Sequence, residues 1–145
     1  MRIAIGSDHA GFDLKEFVKG VLTEMGHEYE DFGCYSKDSV DYPDIAFIIT
    51  KEISQKRFEQ GILICGTGIG MSMVANRVRG VRAALCHETF SARVAREHNN
   101  ANVLCLGGRV IGQGVAGDIV RTYLTSEFAG GRHVRRLEKI EDREC

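Results

Sequence analysis

The chain contains no tryptophan and a single proline, Pro43, so backbone punctuation falls to its 17 glycines. It has no excess of either charge: 19 Lys and Arg against 20 Asp and Glu leave a formal net charge of −1. That balance offers no electrostatic footprint for nucleic acid. No apolar run approaches the length of a membrane span. The apolar opening, Met1-Arg2-Ile3-Ala4-Ile5-Gly6, is too short for a signal peptide and reads as a strand. Cysteines at positions 34, 65, 86, 105 and 145 form no CxxC pair and no Cys/His metal spacing. An odd count without a leader argues for free thiols, and the expected compartment is the cytoplasm. Length suits one domain, residues 1–145, with a core of ordinary size.

What is present centres on residues 61–73, Gly-Ile-Leu-Ile-Cys-Gly-Thr-Gly-Ile-Gly-Met-Ser-Met. An apolar run, Ile62 to Ile64, has the look of a strand buried on both faces. Glycines at 66, 68 and 70 then break it, and Ile69, Met71, Met73, Val74 and Ala75 resume as a buried helix, with Met71 and Met73 read as core. Cys65 therefore ends a strand, beside a glycine turn that opens a helix. Unpaired N–H groups at a helix start favour an anion, either a bound oxyanion or the thiolate.

The rest of the chain alternates strands and helices. Strands are expected at 2–6, 28–32, 61–65, 81–86 and 103–106. Helices are expected from Leu14 to Met25, stopped by Gly26, from Pro43 to about Lys56, from the glycine turn to about Asn76, from His87 to His98, and from about Gly112 to Leu124. In the first helix Leu14, Phe17, Val18, Val21, Leu22 and Met25 recur at core spacing, with Lys15, Glu16, Lys19 and Glu24 between them. Phe90, Val94 and Ala95 are expected inward, and Cys86 and Cys105 as small core hydrophobes. Cys34 and Cys145 receive no role. Gly130-Gly131 precedes a basic, helical end. The alternation predicts one parallel sheet with helices on both faces. Ligands of such sheets bind beyond the carboxyl ends of the strands. There stand Asp8-His9, Cys65 to Gly70, His87-Glu88 and Gly107-Gly108-Arg109. His98-Asn99 ends a helix instead.

Each motif has a plainer rival. The glycine turn fails the dinucleotide fingerprint, because Met71 stands at its last position, and it lacks the Gly-Lys-Ser/Thr of a Walker loop. It also fails a Cys-x5-Arg phosphatase loop at the same Met71. It could be a tight turn with a buried thiol. Asp8 could cap the following helix, and His98 suits a helix C-terminus as a cation. Arg132, Arg135 and Arg136 could be a solvated tail, although guanidinium groups suit phosphate.

Six motifs in order resemble the type B ribose-5-phosphate isomerases of the ribose/galactose isomerase family. They are residues 6–11 (Gly-Ser-Asp-His-Ala-Gly), 39–44 (Ser-Val-Asp-Tyr-Pro-Asp), 65–72 with 75–77, 82–85 (Arg-Ala-Ala-Leu), 98–102 (His-Asn-Asn-Ala-Asn) and 130–136 (Gly-Gly-Arg-His-x-Arg-Arg). The resemblance spans residue 1 to about 140. A family branch that lacks the cysteine uses a glutamate farther along the loop; here that place is Ile69 or Gly70, so the cysteine branch fits. The resemblance implies a Rossmann-like three-layer α/β/α sandwich with a five-stranded parallel sheet. It implies interconversion of ribose 5-phosphate and ribulose 5-phosphate in the pentose phosphate pathway, without metal or cofactor. By the same resemblance Cys65 is the base between C1 and C2, Thr67 assists, and His98 opens the sugar ring with Asp8 nearby. His9, Arg109, Arg132 and Arg136 resemble phosphate ligands. Tyr42 and Asn99 resemble sugar contacts, beside the amides of Gly66, Gly68 and Gly70. The family site lies between subunits of a homodimer or tetramer, so residues 130–145 would form an arm serving the partner. Allose 6-phosphate, galactose 6-phosphate or a free sugar are alternative substrates, and a noncatalytic nucleotide- or phosphate-binding module is the alternative of another class.

Overall fold

The computed structural model describes residues 1–143; Cys145 lies outside them. The strands are β1 (Arg2–Ser7), β2 (Glu28–Asp31), β3 (Gln60–Cys65), β4 (Ala83–Leu85) and β5 (Val103–Gly107). The α-helices are α1 (Phe12–Glu24), α2 (Tyr42–Ser54), α3 (Ile69–Ala75), α4 (Thr89–Glu97), α5 (Gln113–Thr125) and α6 (Arg132–Glu141). All strand pairs are parallel, in the order β2-β1-β3-β5-β4. The chain steps outward from β1 to β2, then returns to β3 on the other side of β1. The order of strands therefore reverses between β1 and β3, and a crevice opens at their carboxyl ends.

Side chains alternate across a strand, which splits the core into two layers. Ile3, Ile5, Ile62, Ile64, Leu104 and Leu106 face α1, α4 and α5. Ala4, Leu63, Cys65, Val103 and Cys105 face α2 and α3. Cys65 thus shares a layer with Met71. Burial pushes the Cys86 thiol up to about 11, with the Glu88 carboxylate adding to it. Burial likewise raises Cys105. Both stay neutral core thiols, as expected.

Three apolar side chains expected inside are outside. Phe90, Met73 and Ile69 are exposed. Ala92 and Ala95 are the buried residues of α4, and Met71 and Ala75 those of α3. Both helices are short, seven and nine residues, so only a narrow stripe of each meets the core. The shortest strand, β4, is an edge. The Asn76 side chain donates to the Ala83 carbonyl at 3.0 Å and accepts from the Ala83 N–H at 2.8 Å, in the manner of a neighbouring strand.

Lys15 reverses expectation in the other direction: set among the polar positions of α1, it is fully buried. Its ammonium donates to Asp31 Oδ1 at 2.8 Å and to the Cys34 carbonyl. Lys19 holds the other oxygen of Asp31 at 2.9 Å. Burial pushes the Asp31 carboxyl up, but hydrogen bonds from Lys15, the Gly33 N–H and Lys19 outweigh it and hold it below the usual carboxylate range. Asp31→Asn strands a buried ammonium and is expected to cost about 3–5 kcal/mol of unfolding free energy at pH 7. Because the folded value is depressed, the contribution is complete above the unfolded value of about 3.9 and fades as pH falls through the lower folded value. Urea midpoints of both proteins at pH 7 and pH 3 check this: the difference between them should shrink on acidification, and a constant gap would contradict it.

Candidate active site

Three turns meet at the carboxyl end of the crevice. The first follows β1. Asp8 is buried, and its Oδ1 accepts from the N–H groups of Ala10 at 2.9 Å and Gly11 at 3.1 Å. It is therefore a cap, as the local reading allowed, but of a 3-10 turn, His9–Gly11. The second turn follows β3, and the Asp8 N–H reaches it through Ile64 O at 3.1 Å. The third follows β5: Gly108 N–H bonds Cys65 O at 2.8 Å and Arg109 N–H bonds Gly66 O at 2.9 Å. This lacing carries the Arg109 guanidinium over the glycine turn; a Cβ on Gly66 would lie 3.5 Å from its Nη1.

Within the turn, the Gly68 N–H points at Cys65 Sγ, 3.1 Å away. Gly68 holds φ at +78°, and a Cβ there would come within 2.5 Å of Leu85 Cδ1, so both backbone and space require glycine. Cys65 is buried, 5% exposed, at the carboxyl end of β3 where the three turns meet. Thr67 is exposed, and its Oγ1 accepts from the Ile69 N–H at 3.2 Å. Tyr42, at the start of α2, lays its ring over Gly70, where a Cβ would meet the ring at 2.6 Å.

His9 faces a groove of about 540 Å³ whose lining includes Asp8, Ser39, Val40, Asp41 and Tyr42. The Val40 N–H donates to His9 Nδ1 at 3.2 Å, so Nδ1 is the acceptor and Nε2 carries the proton. No residue type signals this main-chain contact, and sequence reasoning missed it. Among the described residues no cluster of three or more His, Cys, Asp or Glu side chains is placed to hold a metal. No helix of the described chain is long and apolar enough to cross a membrane.

The structure thus gathers Asp8, His9, Tyr42, Cys65, Gly66, Thr67, Gly68, Gly70 and Arg109 at one edge of the sheet. It does not bring His98, Asn99, Arg132 or Arg136 to them within one chain. His98 caps the C-terminus of α4, a few residues before Val103 opens β5. Val103 pairs with Gly61, whereas Cys65 pairs with Gly107 at the far end of the same strands. The Ala129 N–H bonds Glu97 O at 2.9 Å, which holds the start of α6 beside His98. Asp8 and His98 therefore stand at opposite edges of the sheet.

Fold and comparisons together place the chain among the α/β isomerases. Residues 3–140 match the ribose/galactose isomerase family model. The crystal structure of a Thermotoga maritima ribose 5-phosphate isomerase superposes with a TM-score of 0.95 at 55% identity, covering 98% of each chain. A D-erythrulose-4-phosphate isomerase of Pectobacterium atrosepticum is 45% identical over 97% of this chain and 93% of its own length. The ribose-5-phosphate isomerase B of Escherichia coli K12 is 43% identical over 96% and 93%. The chain belongs to the ribose/galactose isomerase family.

Proposed function

We propose that the chain interconverts D-ribose 5-phosphate and D-ribulose 5-phosphate through a cis-enediolate. The observation that carries this reading is the meeting of three strand-end turns around Cys65, with His9 on one side and Arg109 on the other. Aldose–ketose exchange moves a proton between C1 and C2. It needs a base beside those carbons and donors for the oxygen that becomes negative. Cys65 is that base. The main-chain N–H groups of the 66–70 turn hold the developing oxyanion, with Thr67 beside them. Tyr42 sets the sugar against the turn. The His9 Nε2–H and the Arg109 guanidinium take the phosphate, whose binding energy positions the reacting carbons.

Ring opening and the rest of the phosphate clamp come from a second copy. His98, Asn99, Arg132 and Arg136 lie at the wrong edge to serve their own Cys65, so the partner's site receives them. Two features support this. α6 buries none of its residues, and Val134 and Ile140 on it are exposed. Around the crevice Ile69, Met73, Phe90 and Val110 are exposed as well, an apolar rim that a second copy would cover.

A shorter sugar is the second reading, favoured by the 45% identity to the erythrulose 4-phosphate enzyme. A panel of ribose 5-phosphate, erythrose 4-phosphate, allose 6-phosphate and galactose 6-phosphate tests both. Ribose 5-phosphate is expected to lead in kcat/KM by about tenfold or more, the size of discrimination that one carbon allows. A lead for erythrose 4-phosphate would move the assignment to the tetrose. Turnover of none would leave a binding module.

A further inference from the structure

His133 has no part in the scheme above, yet its contact is specific. Its ring lies against that of His98, centroids 4.4 Å apart and planes 14° from parallel. His98 is exposed, and among the described residues its imidazole takes part in no hydrogen bond; His133 is half-buried. An exposed imidazole turns readily about its last side-chain torsion, which has broad wells. A group that must hand a proton to a sugar ring oxygen has to present one nitrogen in one direction. Among the described residues the stack on His133 is the one ring contact that His98 makes, with no side-chain hydrogen bond beside it.

The seat of His133 is itself defined on both sides. The Ala129 N–H bonds Glu97 O at 2.9 Å just before α6, and Arg82 bonds Glu141 at 2.9 Å near its end. Partial burial, then the positive neighbours His98, Arg132 and Arg136, lower the His133 imidazole below its ordinary value. A neutral ring stacks on its neighbour without like-charge repulsion. Arg132 and Arg136 flank it on the same helix, so one docked helix places both the phosphate clamp and the ring-opening group.

We propose that His133 is the positioning residue of His98, its stacked ring fixing the direction in which His98 meets the cyclic sugar. The inference rests on the reading of His98 as the ring-opening group. His133→Ala and His133→Phe test it on ribose 5-phosphate. The alanine variant is expected to lose about tenfold in kcat with KM changed by less than about twofold, the mark of a misaimed group rather than a lost ligand. The phenylalanine variant keeps a flat ring and is expected to retain at least about half of kcat. In proton NMR the His98 imidazole C–H signals should stand upfield from the neighbouring ring current in wild type and in the phenylalanine variant, and move downfield in the alanine variant. Full kcat in the alanine variant, an equal loss in the phenylalanine variant, or a loss confined to KM would overturn the inference. His98→Ala with undiminished kcat would instead remove the underlying reading, whatever His133 does.

Discussion

Cys65→Ala is expected to lower kcat for ribose 5-phosphate by about 10²–10⁴-fold, the range a positioned general base contributes, with KM within about twofold of wild type. Exchange of the C2 hydrogen with solvent should vanish together with turnover. The substitution is clean for structural reasons. The residue is small, ends β3, and makes one side-chain hydrogen bond, from the Gly68 N–H. The turn around it is laced by main-chain bonds from Gly108 and Arg109, which alanine leaves in place. Steady-state kinetics and hydrogen-exchange mass spectrometry of the sugar read both quantities. A variant that still exchanges the C2 hydrogen at the wild-type rate would dismiss the thiol as base.

The second large effect is a recovery. Cys65→Ala and His98→Ala should each be nearly inactive alone. Co-expressed in equal amount, they are expected to regain about one quarter of wild-type activity, because the proposed two-fold dimer would assort at random and half its members would be mixed. Each mixed dimer has one site with both substitutions and one with neither. The prediction follows from geometry: Cys65 pairs with Gly107 at the carboxyl ends of the strands, and His98 lies just before the opposite end of β5. Were both groups drawn from one chain, no mixture could contain an intact site. Activity that stays at the level of the single variants would therefore refute the shared site.

The sheet was legible because its signals are local. Short apolar runs between glycine and polar turns located all five strands, and the run read as buried on both faces, β3, is the middle strand of the sheet. What escaped depended on partners far along the chain. Lys15 occupies a polar position by helical period and is buried only because Asp31, on an edge strand, and the Cys34 carbonyl meet it. Phe90, Ile69 and Met73 look like core by composition but lie on an uncovered rim. Periodicity measures which side chains could be inside, not which surface reaches them. At the site, Asp8, Cys65 and Arg109 followed from their places after strands. His133 was quoted within the 130–136 motif, yet only the folded chain shows its ring against His98.

The amide of Asn76 has one more effect. A sheet ending in an open strand can be lengthened by any extended segment that offers matching donors and acceptors, the usual route to uncontrolled polymerisation. At Ala83 both outward main-chain groups are already engaged by that side chain. Stacking of copies through continued strands is thereby obstructed at this point of the flank, which leaves helices and loops, the elements that carry the groups one copy would lend another under the proposed shared site.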